Sequence, residues 1–152
     1  MMLYFLRHAD AEPDYANDFN RRLTPKGVEQ ADKVGKFCAR NGLIPDLILS
    51  SPVIRARQTA DAVSLRLGEV EIVESPWIAC GLTPSTLLAE LAAYTKFTSL
   101  FIVGHEPDFS ECIGHLTGVR MNVRKASLTL LDLPRLREGG GELQFSVPVR
   151  LM

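Results

Sequence analysis

Two of the chain's three histidines stand where chemistry is plausible: His8 directly after Arg7 at the end of an apolar run, and His105 after Val103-Gly104 at the end of another. A third segment of similar design, Ser50-Ser51-Pro52 leading to Arg55, follows the apolar run Leu47–Leu49. Arginine presents a rigid fork of N–H donors that matches a phosphate bidentately, and imidazole can attack, accept or donate near neutral pH. Brought together, two arginines and two imidazoles would form a compact cationic pocket whose natural guest is a phosphoryl group. A lone histidine at a strand end usually makes an ordinary loop hydrogen bond, so the case rests on convergence. His115 keeps that bland reading, because late in a short helix a histidine commonly serves the terminal carbonyls or the helix dipole.

Convergence requires elements that deliver these segments to one edge. Leu3–Leu6, Leu47–Leu49 and Leu100–Val103 are short continuous apolar runs, the pattern of strands buried on both faces of a parallel sheet. Val70–Val73 is a weaker strand. Thr24-Pro25 is an N-cap followed by proline, and Asn41-Gly42 is a stop, which predicts a helix over Pro25–Arg40 with Val28, Ala31, Val34, Phe37 and Cys38 inward. Ser51-Pro52 repeats the cap-plus-proline start for a helix to about Leu67, whose inner face is Val53, Ala56, Ala60, Val63 and Leu67. Thr83-Pro84 starts a third helix through Leu91. Asp108 and Glu111 have capping-box spacing ahead of a short helix ending near Gly118. Ser127–Leu133 and Leu143–Val149, around Gly139-Gly140-Gly141, predict an edge hairpin. The order predicts an α/β three-layer sandwich with a mostly parallel sheet. Such sheets bind ligands outside the carboxyl ends of their strands, here after residues 6, 49 and 103.

The 152 residues fit one domain, 1–152, and 46% apolar with 23% charged residues is a globular composition. A net charge of −1 supplies no global field for nucleic acid, so any anion site must be local. Met1–Leu6 is too short to span a membrane and lacks the basic start of a signal peptide, which predicts a cytoplasmic protein without membrane association. Cys38, Cys80 and Cys112 form no CxxC pair and read as reduced, mostly packed thiols.

Leu6-Arg7-His8-Ala9-Asp10-Ala11 resembles the RHG-type signature of the histidine phosphatase superfamily, with Ala9 in place of the usual glycine. Arg21-Arg22-Leu23-Thr24-Pro25-Lys26-Gly27 is similar to that superfamily's R-x-L-T-x-x-G segment, Ser50 to Ala56 to its S-P-x-x-R-A segment, and Val103-Gly104-His105 to its V-x-H segment. The four occur in the family's order. The short chain points to the SixA-type phosphohistidine phosphatases, and the resemblance implies a phosphoglycerate mutase-like fold. It implies that His8 attacks phosphorus, becomes a phosphohistidine and is released by water, with Arg7 and Arg55 clamping the phosphoryl oxygens and His105 donating to them. It adds Arg21 as a further anion contact. Helical periodicity leaves Arg55 and Arg57 level as phosphate ligands, and the resemblance chooses Arg55. No metal or cofactor is required. The implied substrate is a phosphohistidine-bearing protein such as a phosphotransfer domain, met by a monomer, with phosphate or sulfate able to occupy the pocket.

Two other readings compete. A broader phosphomonoesterase would use the same pocket, but an alkoxide leaving group needs a general acid. In larger relatives a glutamate-bearing loop after the fourth strand supplies it, and Trp77–Thr83 here holds no carboxylate. A non-catalytic phosphate-binding regulatory module would keep the pocket without turnover, and it would not need a nucleophilic imidazole. Glu106, Asp10 and Glu12 lie near the histidines in sequence, and none is assigned as an acid or base.

Overall fold

A computed structural model of the protein describes residues 1–13 and 16–152. The apolar runs are strands: β1 spans Met2–Arg7, β2 Leu47–Ser50, β3 Ile72–Glu74 and β4 Ser99–Gly104, followed by β5 Leu128–Asp132 and β6 Glu142–Val147. They form one sheet in the order β3-β2-β4-β1-β5-β6. The first four are mutually parallel, β5 runs antiparallel to β1, and β6 closes the edge hairpin antiparallel to β5.

Period-two alternation sends side chains to both faces, and each face has its own helical layer. Tyr4, Leu6, Ile48, Phe101 and Val103 pack with Ala31, Val34 and Cys38 of α1 (Pro25–Arg40) and Ala56, Ala60 and Val63 of α2 (Ile54–Arg66). Leu3, Phe5, Leu49, Leu100 and Ile102 pack with Leu87 and Leu91 of α3 (Pro84–Leu91) and Phe109, Cys112 and Ile113 of α4 (Asp108–Thr117). Each fully buried Leu, Ile or Phe contributes about 1.5–3 kcal/mol, so the two faces share the stabilisation. This is the expected three-layer α/β sandwich. Among the described residues no helix is long and apolar enough to cross a membrane.

Three local expectations give way to tertiary contacts. Val28 is 54% exposed rather than inward, because Gly27, one turn before Ala31, takes the inner position of the first turn of α1. Ser51 does not cap α2: the helix begins at Ile54 with Val53 at its cap position and no side-chain cap. Asp108 is the first residue of α4 rather than its cap, and its carboxylate instead accepts from the backbone N–H groups of Gly81 and Leu82.

Gly27 explains the glycine of the R-x-L-T-x-x-G segment. The Asp10 carbonyl just beyond His8 accepts the Thr24 N–H at 3.0 Å, and a Cβ on Gly27 would run into that carbonyl oxygen. Gly27→Ala is therefore expected to lower stability by about 1–3 kcal/mol, seen as a reduced Tm in thermal unfolding. An unchanged Tm would show that the loop after β1 yields freely.

Candidate active site

The strand ends meet as the parallel register requires. Arg7 pairs with Gly104, the His8 N–H donates to the Gly104 carbonyl at 3.0 Å, and the Ser51 N–H donates to the Val103 carbonyl at 2.9 Å. Arg55, in the first turn of α2, turns back over the same edge. His8, Arg55 and His105 are 5%, 4% and 2% exposed, and the two imidazole centroids are 5.3 Å apart.

His8 Nδ1 lies 2.7 Å from the Ala9 carbonyl oxygen, so Nδ1 carries the proton and donates it. Nε2 is then left with a lone pair, toward which Arg55 Nε–H points at 3.2 Å. Burial, opposed by the Ala9 bond and reinforced by His105, Arg55 and Arg7, pushes the His8 imidazole down to about 3. Burial with Arg55 and Arg7 holds His105 at about 4, against the pull of Asp18. Both rings are therefore neutral at ordinary pH.

That neutrality carries a linkage effect. Below pH 6.5 the unfolded chain protonates both imidazoles while the folded protein does not until about pH 3–4. The unfolded state binds more protons in this window, so stability falls as pH falls, by up to ~1.4 kcal/mol per pH unit for each ring. Urea unfolding at pH 7, 6 and 5 should show a declining midpoint, and the double variant H8F/H105F should flatten it. A wild-type midpoint constant over this range would mean that the rings titrate in the fold as they do in the unfolded chain.

His105 Nε2 is 2.8 Å from Ser51 Oγ, and that oxygen accepts the Val53 N–H at 3.2 Å. The Ser51 hydroxyl is free to donate to Nε2, and in that tautomer Nδ1–H is the donor of His105. Arg7 Nη1 donates to the Val123 carbonyl at 2.9 Å, and burial, with Arg55 beside it and against Glu106, lowers the guanidinium's pKa. Among the described residues, the buried side-chain polar atoms without a hydrogen-bond partner are Arg7 Nε and His105 Nδ1. Thr59 ties the ensemble together: its hydroxyl donates to the Arg55 carbonyl at 2.8 Å and accepts the Ala9 N–H at 3.1 Å. Ala9 itself is fully buried and lies outside the positive-φ residues, so the loop does not need the family's usual glycine there.

Arg7, His8, Arg55 and His105 are thus brought together. Arg21 reaches toward other partners: its Nε donates to the Glu12 carbonyl at 2.8 Å and its Nη1 to Asp18 Oδ1 at 3.0 Å. Asp18, in a 3-10 turn over Asp18–Asn20, links it to the cluster, since Arg55 Nη1 donates to its carbonyl at 2.8 Å and Nη2 to Oδ2 at 3.2 Å. Arg57 pairs at the surface with Asp61 and Glu74. Glu106 accepts from the Ser110 N–H and hydroxyl, Asp10 from Lys125 and Thr24, and Glu12 is exposed. Cys38 and Cys112 are packed, whereas Cys80 is exposed with its Sγ 3.9 Å from Arg55 Nη2. Asp18, Thr59 and the hydroxyl of Ser51 escaped sequence reasoning. Only the i,i+4 step from Arg55 to Thr59 hinted at a shared helix face. Two hollows, of about 250 and 270 Å³, are lined without any of the four clustered residues.

A buried imidazole with a bare nitrogen under an arginine, at the carboxyl end of a parallel sheet, defines a phosphoryl-handling α/β protein. Residues 3–78 match the Histidine phosphatase superfamily (branch 1), and the chain belongs to that superfamily, whose members are generally phosphatases with a histidine nucleophile. It is similar to an uncharacterized protein of Picosynechococcus sp., 34% identical over 95% of this chain and 89% of the relative. Its fold matches the protein histidine phosphatase SixA complexed with tungstate at a TM-score of 0.91, with 22% identity over 99% of both chains. It also matches the putative phosphohistidine phosphatase SixA from Agrobacterium tumefaciens at 0.85, with 27% identity over 97% of both.

Proposed function

We propose that this protein is a phosphohistidine phosphatase that takes the phosphoryl group from a histidine of a signalling protein onto His8 Nε2 and then passes it to water. The observation that carries this reading is the His8 tautomer, which exposes a lone pair to Arg55 in a site where the imidazole stays neutral. In the first step the P–N bond of the substrate breaks as the Nε2–P bond forms. In the second, a water oxygen replaces Nε2, giving phosphate and free His8. Arg7 and Arg55 balance the charge on the equatorial oxygens through a loose transition state, and His105 Nδ1–H donates to one of them. The two unpartnered buried donors, Arg7 Nε and His105 Nδ1, favour an anionic guest. Arg21 contributes through Asp18 to the positive field at the entrance.

Residues 1–152 act in this reading as one domain, a cytoplasmic monomer whose catalysis needs no metal. Of the carboxylates near the histidines, Glu106, Asp10 and Asp108 are engaged by Ser110, Lys125, Thr24 and the loop at Gly81-Leu82, and Asp18 is held ionised between Arg21 and Arg55, which favours a leaving group that needs no proton from the protein. The discriminating experiment compares kcat/KM for a phosphohistidine domain, p-nitrophenyl phosphate and 3-phosphoglycerate at one pH, with and without EDTA. The expected order is phosphohistidine first and 3-phosphoglycerate last, indifferent to EDTA. A rate on 3-phosphoglycerate equal to that on phosphohistidine would sink the substrate assignment in favour of a broader phosphomonoesterase, and absence of turnover on all three would leave a phosphate-binding module.

A further inference from the structure

The Asp18 carboxylate stands over the clamp with its two oxygens divided between arginines: Oδ1 takes Arg21 Nη1 at 3.0 Å and Oδ2 takes Arg55 Nη2 at 3.2 Å. Arg55 Nε, on the other side of the same guanidinium, faces His8 Nε2 at 3.2 Å. One guanidinium therefore separates the nucleophilic nitrogen from this carboxylate, and Asp18 remains 62% exposed on its side chain, open to an incoming molecule. Phe19, the next residue, presents a ring that is 48% exposed.

A carboxylate is an odd companion for a phosphate site, because it repels the phosphoryl oxygens and competes for their arginines. It is fitting if the ring that carries the phosphoryl group is cationic until it departs. A phosphoimidazole departs easily only when its second ring nitrogen carries a proton, for then the electron pair of the breaking P–N bond returns to a ring that leaves as neutral imidazole. We propose that Asp18 is the specificity-determining residue of this site, its ionised carboxylate accepting the N–H of the substrate's distal ring nitrogen while the phosphoryl group is drawn to His8. The inference rests on the phosphohistidine reading above.

In the step so described, the P–N bond of the substrate breaks, the Nε2–P bond of His8 forms, and the proton taken from solvent stays on the distal nitrogen of the departing ring. Asp18 gives up no proton. Hydrogen bonds from Arg21 and the charge of Arg55 hold its carboxyl below the usual range, so it stays ionised. That suits it to hold a ring N–H and unsuits it to protonate an alkoxide.

Asp18→Asn separates this role from mere support of Arg55, because Arg55 keeps its bond to the main-chain carbonyl of residue 18 and the amide oxygen can still accept from its Nη2, with the NH2 group turned to the exposed Arg21 side, while the charge is gone. With N-phosphoimidazole and p-nitrophenyl phosphate as substrates, the ratio of their kcat/KM values should fall ~10–100-fold in Asp18→Asn. Asp18→Glu, which keeps the charge, should recover part of the ratio. An equal loss on both substrates, or identical behaviour of the Asn and Glu variants, would overturn the inference and leave Asp18 as a positioning residue for Arg55, with the phosphohistidine reading intact. Failure of the wild type to turn over N-phosphoimidazole would instead overturn that reading and the inference with it.

Discussion

His8→Ala is expected to lose at least ~10⁴-fold in turnover while still binding phosphate or tungstate, more weakly than the wild type. The reason is the scarcity of substitutes. His105, 5.3 Å away between ring centroids, has its Nε2 engaged by Ser51. Burial raises the Cys80 thiol, so the sulfur beside Arg55 is not a ready thiolate. Water alone can attack phosphorus in the variant, without the covalent intermediate that splits the reaction into two easier steps. Binding survives because Arg7, Arg55 and His105 remain. Rapid mixing of the wild type with a ³²P-labelled phosphodonor should yield an acid-labile, alkali-stable label that the variant lacks. Turnover of His8→Ala within tenfold of the wild type would show that another group carries the phosphoryl.

Arg55→Ala should damage binding and chemistry together, lowering kcat by ~10²–10⁴-fold and raising the inhibition constant for inorganic phosphate. Arg55 is 4% exposed and its donors are shared between His8 on one side and Asp18 on the other, so its loss removes a charge from the oxygens and unties Asp18. It also relieves both imidazoles of a positive neighbour that depresses them, and the acid limb of the pH–rate profile should move toward neutrality. Arg55→Lys should not restore the rate, since a single ammonium cannot face both His8 and Asp18. An unchanged phosphate inhibition constant in Arg55→Ala would remove this residue from the clamp.

Much of the protein is written in its sequence, because short-range physics dictates it. An apolar run such as Leu3–Leu6 or Leu100–Val103 has no stable home except between two layers, so the parallel centre of the sheet follows from composition alone. Thr24-Pro25 and Thr83-Pro84 start their helices as written, since each threonine hydroxyl accepts an N–H of its own first turn. The parallel order of the first strands then places the carboxyl ends near residues 7, 50 and 104 side by side, and with them Arg7, His8, Arg55 and His105.

What the tertiary structure alone decided are the partners of polar groups across distance. Ser51 and Asp108 carry the local signature of helix caps, yet a hydrogen bond to His105 in one case and to the Gly81-Leu82 backbone in the other took them elsewhere. Val28 lost its inward place because a glycine had to meet the Asp10 carbonyl. Asp18 lies in a stretch with no periodicity, and its importance comes from an arginine 37 residues away. Local sequence fixes backbone propensity and the side on which apolar groups fall, whereas a carboxylate takes its role from whichever donor the fold carries to it.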